Sequence, residues 1–382
     1  SQSAGAGKAP FRDELPCGVN PRPFYRPGAG RVIELPRPAR SAEKGPVSFA
    51  LRAGLFAVNW LLRIFYYISF TAEAVLAARA ACRESGTGFQ VIAAYGYMAV
   101  PAARYIAWRQ KAPLVVRLFG VSLGIKGFSR AVKIAQFEET LSFKLRADRW
   151  VITNDGSGGN IAAGRLGVPS SRVLHLINGV EKSRGSVRIS LRGRTAYRRK
   201  YGLEDETKIV LRVARLWAQQ RIDRMLRALP ARLPDGTPVA AVIVGQGPER
   251  EYLKKLSLEL GVRAVFTGPL MNSELHEHYL CSDLYAATGD RTNMSNSVLE
   301  ALSCGLPVVA LAAGQTGELI RDGVNGRLVP LAEINTLLEI VTGILVDEKL
   351  RDKLSTGASQ TADELIPSLE ERMTREADAF CI

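Results

Sequence analysis

At 382 residues the chain is longer than one hydrophobic core usually serves, so two domains are the starting expectation. Hydrophobic residues at 47% and charged residues at 23% exclude a chain that is disordered throughout. The net charge of +14 is unevenly placed: residues 1–200 hold 32 Lys and Arg against 11 Asp and Glu, and residues 201–382 hold 19 against 26. The basic half therefore suits an anionic membrane, nucleic acid or a phosphorylated substrate.

Residues 1–30 are rich in Gly, Pro and Arg without periodicity and read as irregular chain. No apolar h-region marks a signal peptide. A short strand is expected at Arg31–Leu35, then loop from Pro36 to Pro46. The apolar stretch from Phe49 to Ala80 is broken by Arg52, Asn59, Arg63 and Glu73 at near-helical spacing. It reads as one long helix with a narrow polar stripe and a wide apolar face. Such a helix is either packed against a sheet or dipped into a membrane surface.

Strands follow at Phe89–Ala94, Pro113–Leu118, Arg149–Thr153 and Val173–Ile177. Helices are expected at Tyr97–Arg109, Ala131–Arg146 and Gly159–Leu166, and a Gly-rich loop at Val121–Ser129. The β–α–β alternation predicts a parallel sheet. It breaks at Lys182–Lys200, dense in Arg and Ser, which reads as an interdomain linker running into a short basic helix. The alternation then restarts, with strands at Lys208–Val213, Val239–Val244, Ala264–Phe266, Leu284–Ala287, Val308–Leu311 and Gly326–Val329, and helices over most of 331–382. Two Rossmann-like domains facing a central cleft are the economical architecture: 1–190 and 201–364, with 365–382 packing back onto the first.

The five cysteines are scattered without CxxC spacing and read as reduced and mostly packed, which suits a cytosolic compartment. His175, His276 and His278 fit no zinc pattern, so no metal site is expected. The basic half has no RRM-like aromatic signature, helix-turn-helix or zinc pattern, so nucleic acid is not the expected partner.

Three turns and one helix carry the chemistry. Arg215 and Arg221 flank the turn after the strand Lys208–Val213 and are placed either to hold a diphosphate or to lie solvated. Gly245 and Gly247 form a Gly-x-Gly turn, a weak signal that also fits a plain tight turn. Gly314 and Gly317 lie beside a short helix, where backbone N–H groups can meet an anion or sugar hydroxyls. The polar run Arg291–Ser297 enters a helix whose first turn is read as carrying Glu300, a carboxylate placed to accept from a ribose diol.

Residues 205–345 resemble the donor domain of the retaining glycosyltransferases of the two-domain GT-B class, often called family 4. The matching pieces are Arg215-Leu216 with Ile222-Asp223, Val244–Glu249, Gly268, Ser297–Ala301 through Val309, and Gly323–Pro330. The first half matches more loosely, through Gly96–Met98, Val116–Gly120 and Leu176–Glu181. The resemblance implies an α/β GT-B fold, a UDP- or GDP-linked sugar donor and retention of anomeric configuration. It also implies Glu300 on the ribose hydroxyls and Arg215 facing the diphosphate. The expected site comprises Arg215, Arg221, Thr292 and Asn293 as catalytic groups. Gly245, Gly247, Pro269, Ser295, Asn296, Ser297, Val298 and Glu300 surround the nucleotide, with no cofactor beyond the donor. The expected acceptor is a glycan or lipid-linked molecule, met in the cytoplasm at the inner face of the membrane. Four positions depart from the pattern. Thr292 stands for a second glutamate, Gln220 for the diphosphate lysine and Phe119 for a histidine, and the family's initial β–α–β has no counterpart before Arg31. These departures keep a second reading open, that of a catalytically impaired homologue that binds nucleotide sugar or scaffolds a glycan-assembly complex.

Overall fold

A computed structural model of the protein describes residues 49–85, 88–181 and 190–381. The irregular segment 1–30, the strand expected at Arg31–Leu35, the loop expected at Pro36–Pro46 and residues 182–189 of the expected linker lie outside them.

The first domain runs α1 (Phe49–Ser85), β1 (Ile92–Tyr95), α2 (Val100–Gln110), β2 (Leu114–Leu118), α3 (Ser122–Lys126), α4 (Arg130–Ala135), α5 (Phe137–Lys144), β3 (Arg149–Thr153), α6 (Gly159–Arg165) and β4 (Val173–Leu176). Its strands pair in parallel in the order β1-β2-β3-β4. All five residues of β2 are buried, as a strand covered on both faces requires. Leu114, Val116, Trp150 and Ile152 fill one face of the sheet; Val115 and Val151 fill the other.

The second domain runs α7 (Leu191–Lys200), β5 (Lys208–Val213), α8 (Ile222–Arg227), β6 (Val239–Val244), α9 (Arg250–Glu259), β7 (Arg263–Gly268), α10 (Asn272–Cys281), β8 (Leu284–Ala287), α11 (Asn296–Ser303), β9 (Val308–Leu311), β10 (Gly326–Val329), α12 (Leu337–Val346) and α13 (Glu348–Leu365). Its parallel sheet has the order β10-β9-β8-β5-β6-β7. Strand order reverses between β5 and β8, and the crevice beyond their C-terminal ends is where doubly wound sheets bind nucleotides. The chain then crosses back. Val180 donates to Pro367 and accepts from Leu369, both at 3.1 Å, so the outgoing and returning crossings lie side by side. The last helix, α14 (Leu369–Asp378), leads Ala379 and Phe380 onto Val115 and Val151 of the first sheet.

Four local expectations are corrected. The segment expected as one helix from Ala131 to Arg146 is two, broken at Gln136 with φ −112° and ψ 46°. The Gly-rich loop contains α3, because the Glu139 carboxylate accepts from the amides of Ser122 and Leu123 at 3.0 Å each and caps the helix start. Helix α11 begins at Asn296, so Glu300 lies in its second turn rather than its first. Cys281 and Cys304 are free thiols, whereas Cys381 is disulfide-bonded, so the set of cysteines is not uniformly reduced.

The first of the two readings of helix α1 expects it buried in the core; it lies instead on the surface of the first domain. Its polar position Arg63 faces the domain, where it donates to both oxygens of Glu138 at 2.9 and 2.5 Å. Trp60 donates to the Ile134 carbonyl at 3.0 Å, and the rings of Trp60 and Tyr67 meet Phe137 edge-on. The opposite side leaves Leu61, Leu62, Phe65, Ile68 and Leu76 exposed.

Candidate active site

The crevice at the β5/β8 reversal is built from two stacked turns. The turn after β6 lies on the turn after β5: Leu216 donates to the Gln246 carbonyl at 2.9 Å and Glu249 donates to that of Leu216 at 3.0 Å. A Cβ on Gly245 would sit 2.0 Å from the Ala214 carbonyl oxygen, and one on Gly247 2.4 Å from that of Leu216. Both glycines are therefore required by the backbone approach itself, whatever they bind. Gly245 also donates to the Gly268 carbonyl at 2.8 Å, which brings exposed Pro269 to the same rim.

The two arginines expected at the diphosphate behave differently. Arg215 is exposed, its guanidinium 5.8 Å from the Trp217 ring centroid, and no carboxylate pairs with it among the described residues. Arg221 has the left-handed backbone φ of 49°. Its guanidinium is held by Asp223 at 3.2 Å and Asp290 at 3.3 Å, and Asp290 also takes Arg224 at 2.7 Å. Arg221 thus ties the loop after β8 to α8, and its charge is already compensated.

Glu300 is half-buried and accepts from the Tyr279 hydroxyl at 2.6 Å. Burial pushes its carboxyl above the usual range, and the Tyr279 bond opposes this only in part. Burial likewise raises the Cys304 thiol, to about 12, with the Glu300 charge adding to it. Glu300 is held on one oxygen by a rigid aromatic hydroxyl, a geometry that leaves the other for a ligand hydroxyl. Val298 is fully buried in the core, so its contribution is to anchor α11. Ser295 and Ser297 share a 3.0 Å hydroxyl contact, and Asn296 accepts from Asn178 of the first domain at 2.8 Å.

Thr292 and Asn293 act on the loop rather than in an open cleft. Asn293 is buried; its oxygen accepts from the Gly289 amide at 2.9 Å and its amide donates to the Leu311 carbonyl at 2.9 Å. All the side chain's strong bonding is spent on shaping residues 289–294. Thr292 donates to the Asp155 carbonyl of the first domain at 2.7 Å. Beside it Gln315 donates to the Gly156 carbonyl at 2.8 Å and Asn154 to Glu318 at 3.2 Å. The domains touch directly along this line.

Two cations escaped the sequence reading. Arg212, on β5, is 3% exposed; it donates to the Ala286 carbonyl at 2.9 Å and to Gln220 at 2.7 Å, and its Nε has no partner. No carboxylate pairs with it among the described residues. A buried guanidinium of that kind lies directly under the β5/β8 reversal, tied to the residue that replaces the expected lysine. An arginine inside the apolar run Lys208–Val213 was the available signal. The second is Lys126 at the end of α3, whose pKa burial lowers, with Arg291 of the other domain pushing the same way. Like charges facing each other across a domain boundary favour an anion between them.

Comparison with known proteins agrees with this geometry. Residues 193–361 match the family model for glycosyl transferases group 1. A GDP-mannose-dependent alpha-(1-6)-phosphatidylinositol monomannoside mannosyltransferase of Mycolicibacterium smegmatis is 33% identical over 193 residues, covering 47% of this chain and 49% of that protein. The sulfoquinovosyl transferase SQD2 of Arabidopsis thaliana is 29% identical over 163 residues, covering 42% of this chain and 31% of that one. The chain thus spans about half the length, or less, of these curated relatives. Among solved structures, Anabaena HepE in complex with UDP superposes with a TM-score of 0.67 at 20% identity, covering 81% of this chain and 82% of that one. Two parallel sheets, a Rossmann strand order in the second and these matches lead to one statement: this is a GT-B fold whose residues 193–361 match the glycosyl transferases group 1 family model.

Proposed function

We propose that the chain is a retaining glycosyltransferase that moves a sugar from a UDP- or GDP-linked donor to a glycan or lipid-linked acceptor. The observation that carries this is the pairing, at one strand-order reversal, of an uncompensated exposed Arg215 with the half-buried, Tyr279-anchored Glu300. The carboxylate accepts from the ribose diol. Arg215 takes the diphosphate, and Arg212 beneath it and Lys126 with Arg291 across the boundary supply further positive potential. As the bond from sugar to diphosphate breaks, negative charge grows on the leaving oxygen, and pre-placed cations stabilise it more than they stabilise the bound donor. Acceptor positioning falls to the first domain. A mycobacterial relative named for a phosphatidylinositol monomannoside supports a lipid-linked acceptor, which the protein would meet at a membrane surface. The test is turnover with a panel of nucleotide sugars and extracted lipid acceptor. Release of nucleoside diphosphate only when acceptor is present supports the reading.

A second reading has its own observation. Arg221 is neutralised by two aspartates and Thr292 is engaged by Asp155, so two expected catalytic groups are occupied in the ligand-free fold. A protein that binds nucleotide sugar without transfer fits that arrangement. Saturable donor binding with no turnover over the whole panel would select it.

A further inference from the structure

A cavity of about 370 Å³ opens between the C-terminal half of α1 and α2, far along the chain from the crevice residues. Its lining includes Arg79, Arg83, Arg109, Tyr105 and Gln110. Arg79 donates to the Tyr105 hydroxyl and stacks 5.4 Å from that ring's centroid. Arg83 and Arg109 are exposed, and none of the three arginines is paired with a carboxylate among the described residues. Three cations around one recess repel each other, and a phosphate group is the ligand whose geometry their N–H forks match.

The surface beside this recess is apolar. Val58, Leu61, Leu62, Phe65 and Leu76 recur at helical spacing along the outward side of α1, each more than half exposed. The same stripe continues into Arg79 and Arg83. On α2, Trp108 is 64% exposed and its ring lies 6.2 Å from that of Tyr105. Apolar side chains bordered by arginine, tyrosine and tryptophan are the composition of a helix lying at a lipid–water boundary. The segment Trp60–Ala81 is long and apolar enough to cross a membrane. Its other side, however, is fastened to the domain through Trp60, Arg63 and Tyr67, which places it along a surface rather than through one.

We propose that this face of the first domain rests on an anionic phospholipid membrane, with one headgroup phosphate in the Arg79/Arg83/Arg109 recess and the α1 stripe among the acyl chains. The occupant follows from charge complementarity together with the continuous apolar stripe, which a soluble phosphate would leave in water. The inference is independent of the transferase reading, because vesicle binding is measured with no nucleotide present; either can fail alone.

The test is sedimentation of the full chain with phosphatidylglycerol or phosphatidylcholine vesicles. The protein should bind phosphatidylglycerol and hardly bind phosphatidylcholine, and raised salt should weaken binding. The triple variant Arg79→Gln, Arg83→Gln, Arg109→Gln should lose roughly a hundredfold in affinity. The triple Lys variant should fall between the parent and the Gln variant, since the charge remains while the bidentate fork is lost. Leu62→Ser with Phe65→Ser should also leave the vesicles. Because these side chains are exposed, all variants should melt with the parent, and circular dichroism checks that each is folded. Equal binding by the folded Gln triple variant would overturn the proposal. So would release of the parent protein from vesicles by millimolar inorganic phosphate, which would make the recess a site for a free phosphate.

Discussion

The guanidinium of Arg117, near the end of β2, donates to the carboxylate of Glu376 on α14 at 2.6 Å, across 259 positions of sequence. The other oxygen of Glu376 accepts from Arg372 at 2.6 Å, and Arg372 also reaches the Ile177 carbonyl at 2.9 Å. Arg117 is further held by Thr153 at 2.7 Å. One carboxylate on the last helix thus compensates two buried guanidinium groups, and the return of the chain to the first domain is fixed by charge as well as by Phe380.

Glu376→Ala should therefore destabilise the protein strongly. Removing one partner of a buried ion pair costs about 3–5 kcal/mol, because the partner charge stays behind uncompensated. Chemical denaturation should show that loss, and limited proteolysis should release α14 first. A cost within about 0.5 kcal/mol, as for an ordinary surface change, would mean that the cluster is not coupled to folding.

Glu300→Gln should weaken nucleoside diphosphate binding by about 1–3 kcal/mol, measured by calorimetry, if the carboxylate accepts from the ribose. The same change should leave the free protein as stable or more so at neutral pH. The carboxyl is raised by burial, so in the folded protein the protonated form is favoured over its unfolded balance. Its contribution to stability is present at low pH and is lost as pH rises through the folded value. Replacing it with a neutral amide removes that loss.

Nucleotide affinity should show the opposite pH trend. The ribose needs the ionised carboxylate, so affinity should be full at neutral pH and fall as pH drops through the raised Glu300 value, above the ordinary carboxylate range. The Gln variant should lack this fall. An identical acid limb in both proteins would assign it to another group.

Arg215→Ala and Arg221→Ala should separate binding from architecture. Arg215 is exposed and pairs with no carboxylate among the described residues, so its loss should weaken diphosphate binding while leaving the melting temperature unchanged. Arg221 bridges Asp223 and Asp290, so its loss should lower the melting temperature by removing the cation that ties the loop after β8 to α8. The reverse pattern would exchange the two roles.

Gly245→Ala should destabilise by about 1–3 kcal/mol even without ligand. Its φ is +129°, and the new methyl would lie 2.0 Å from the Ala214 carbonyl oxygen, a backbone atom that cannot rotate away. A folded variant of unchanged stability would show that the two turns can separate freely.

Much of this protein is determined by short-range pattern. Alternation of apolar strands with helices gives two parallel sheets, because only crossover helices can return the chain between parallel neighbours. Strands such as Val239–Val244 name themselves as buried on both faces. The Gly-x-Gly turn and the Glu300 helix were also legible, since their spacing is local. What the pattern left open depends on which side chains meet across long separations. Sequence placed Arg215 and Arg221 together as diphosphate cations; only the fold shows that Asp223 and Asp290 neutralise one, while the other has no carboxylate partner among the described residues. Asn293 looked like a site residue from its neighbourhood, and burial made it a staple for the loop. Arg212 looked like part of a strand, and pairing with β8 put an uncompensated charge under the crevice. The polar stripe of α1 was readable, but not its direction. Glu138, seventy-five positions away, drew Arg63 inward and turned the apolar side of the helix out. Periodicity reports which residues share a face; the partner that face meets is a tertiary fact, because a charge turned inward needs the counter-charge or hydrogen-bond acceptors that another part of the chain supplies.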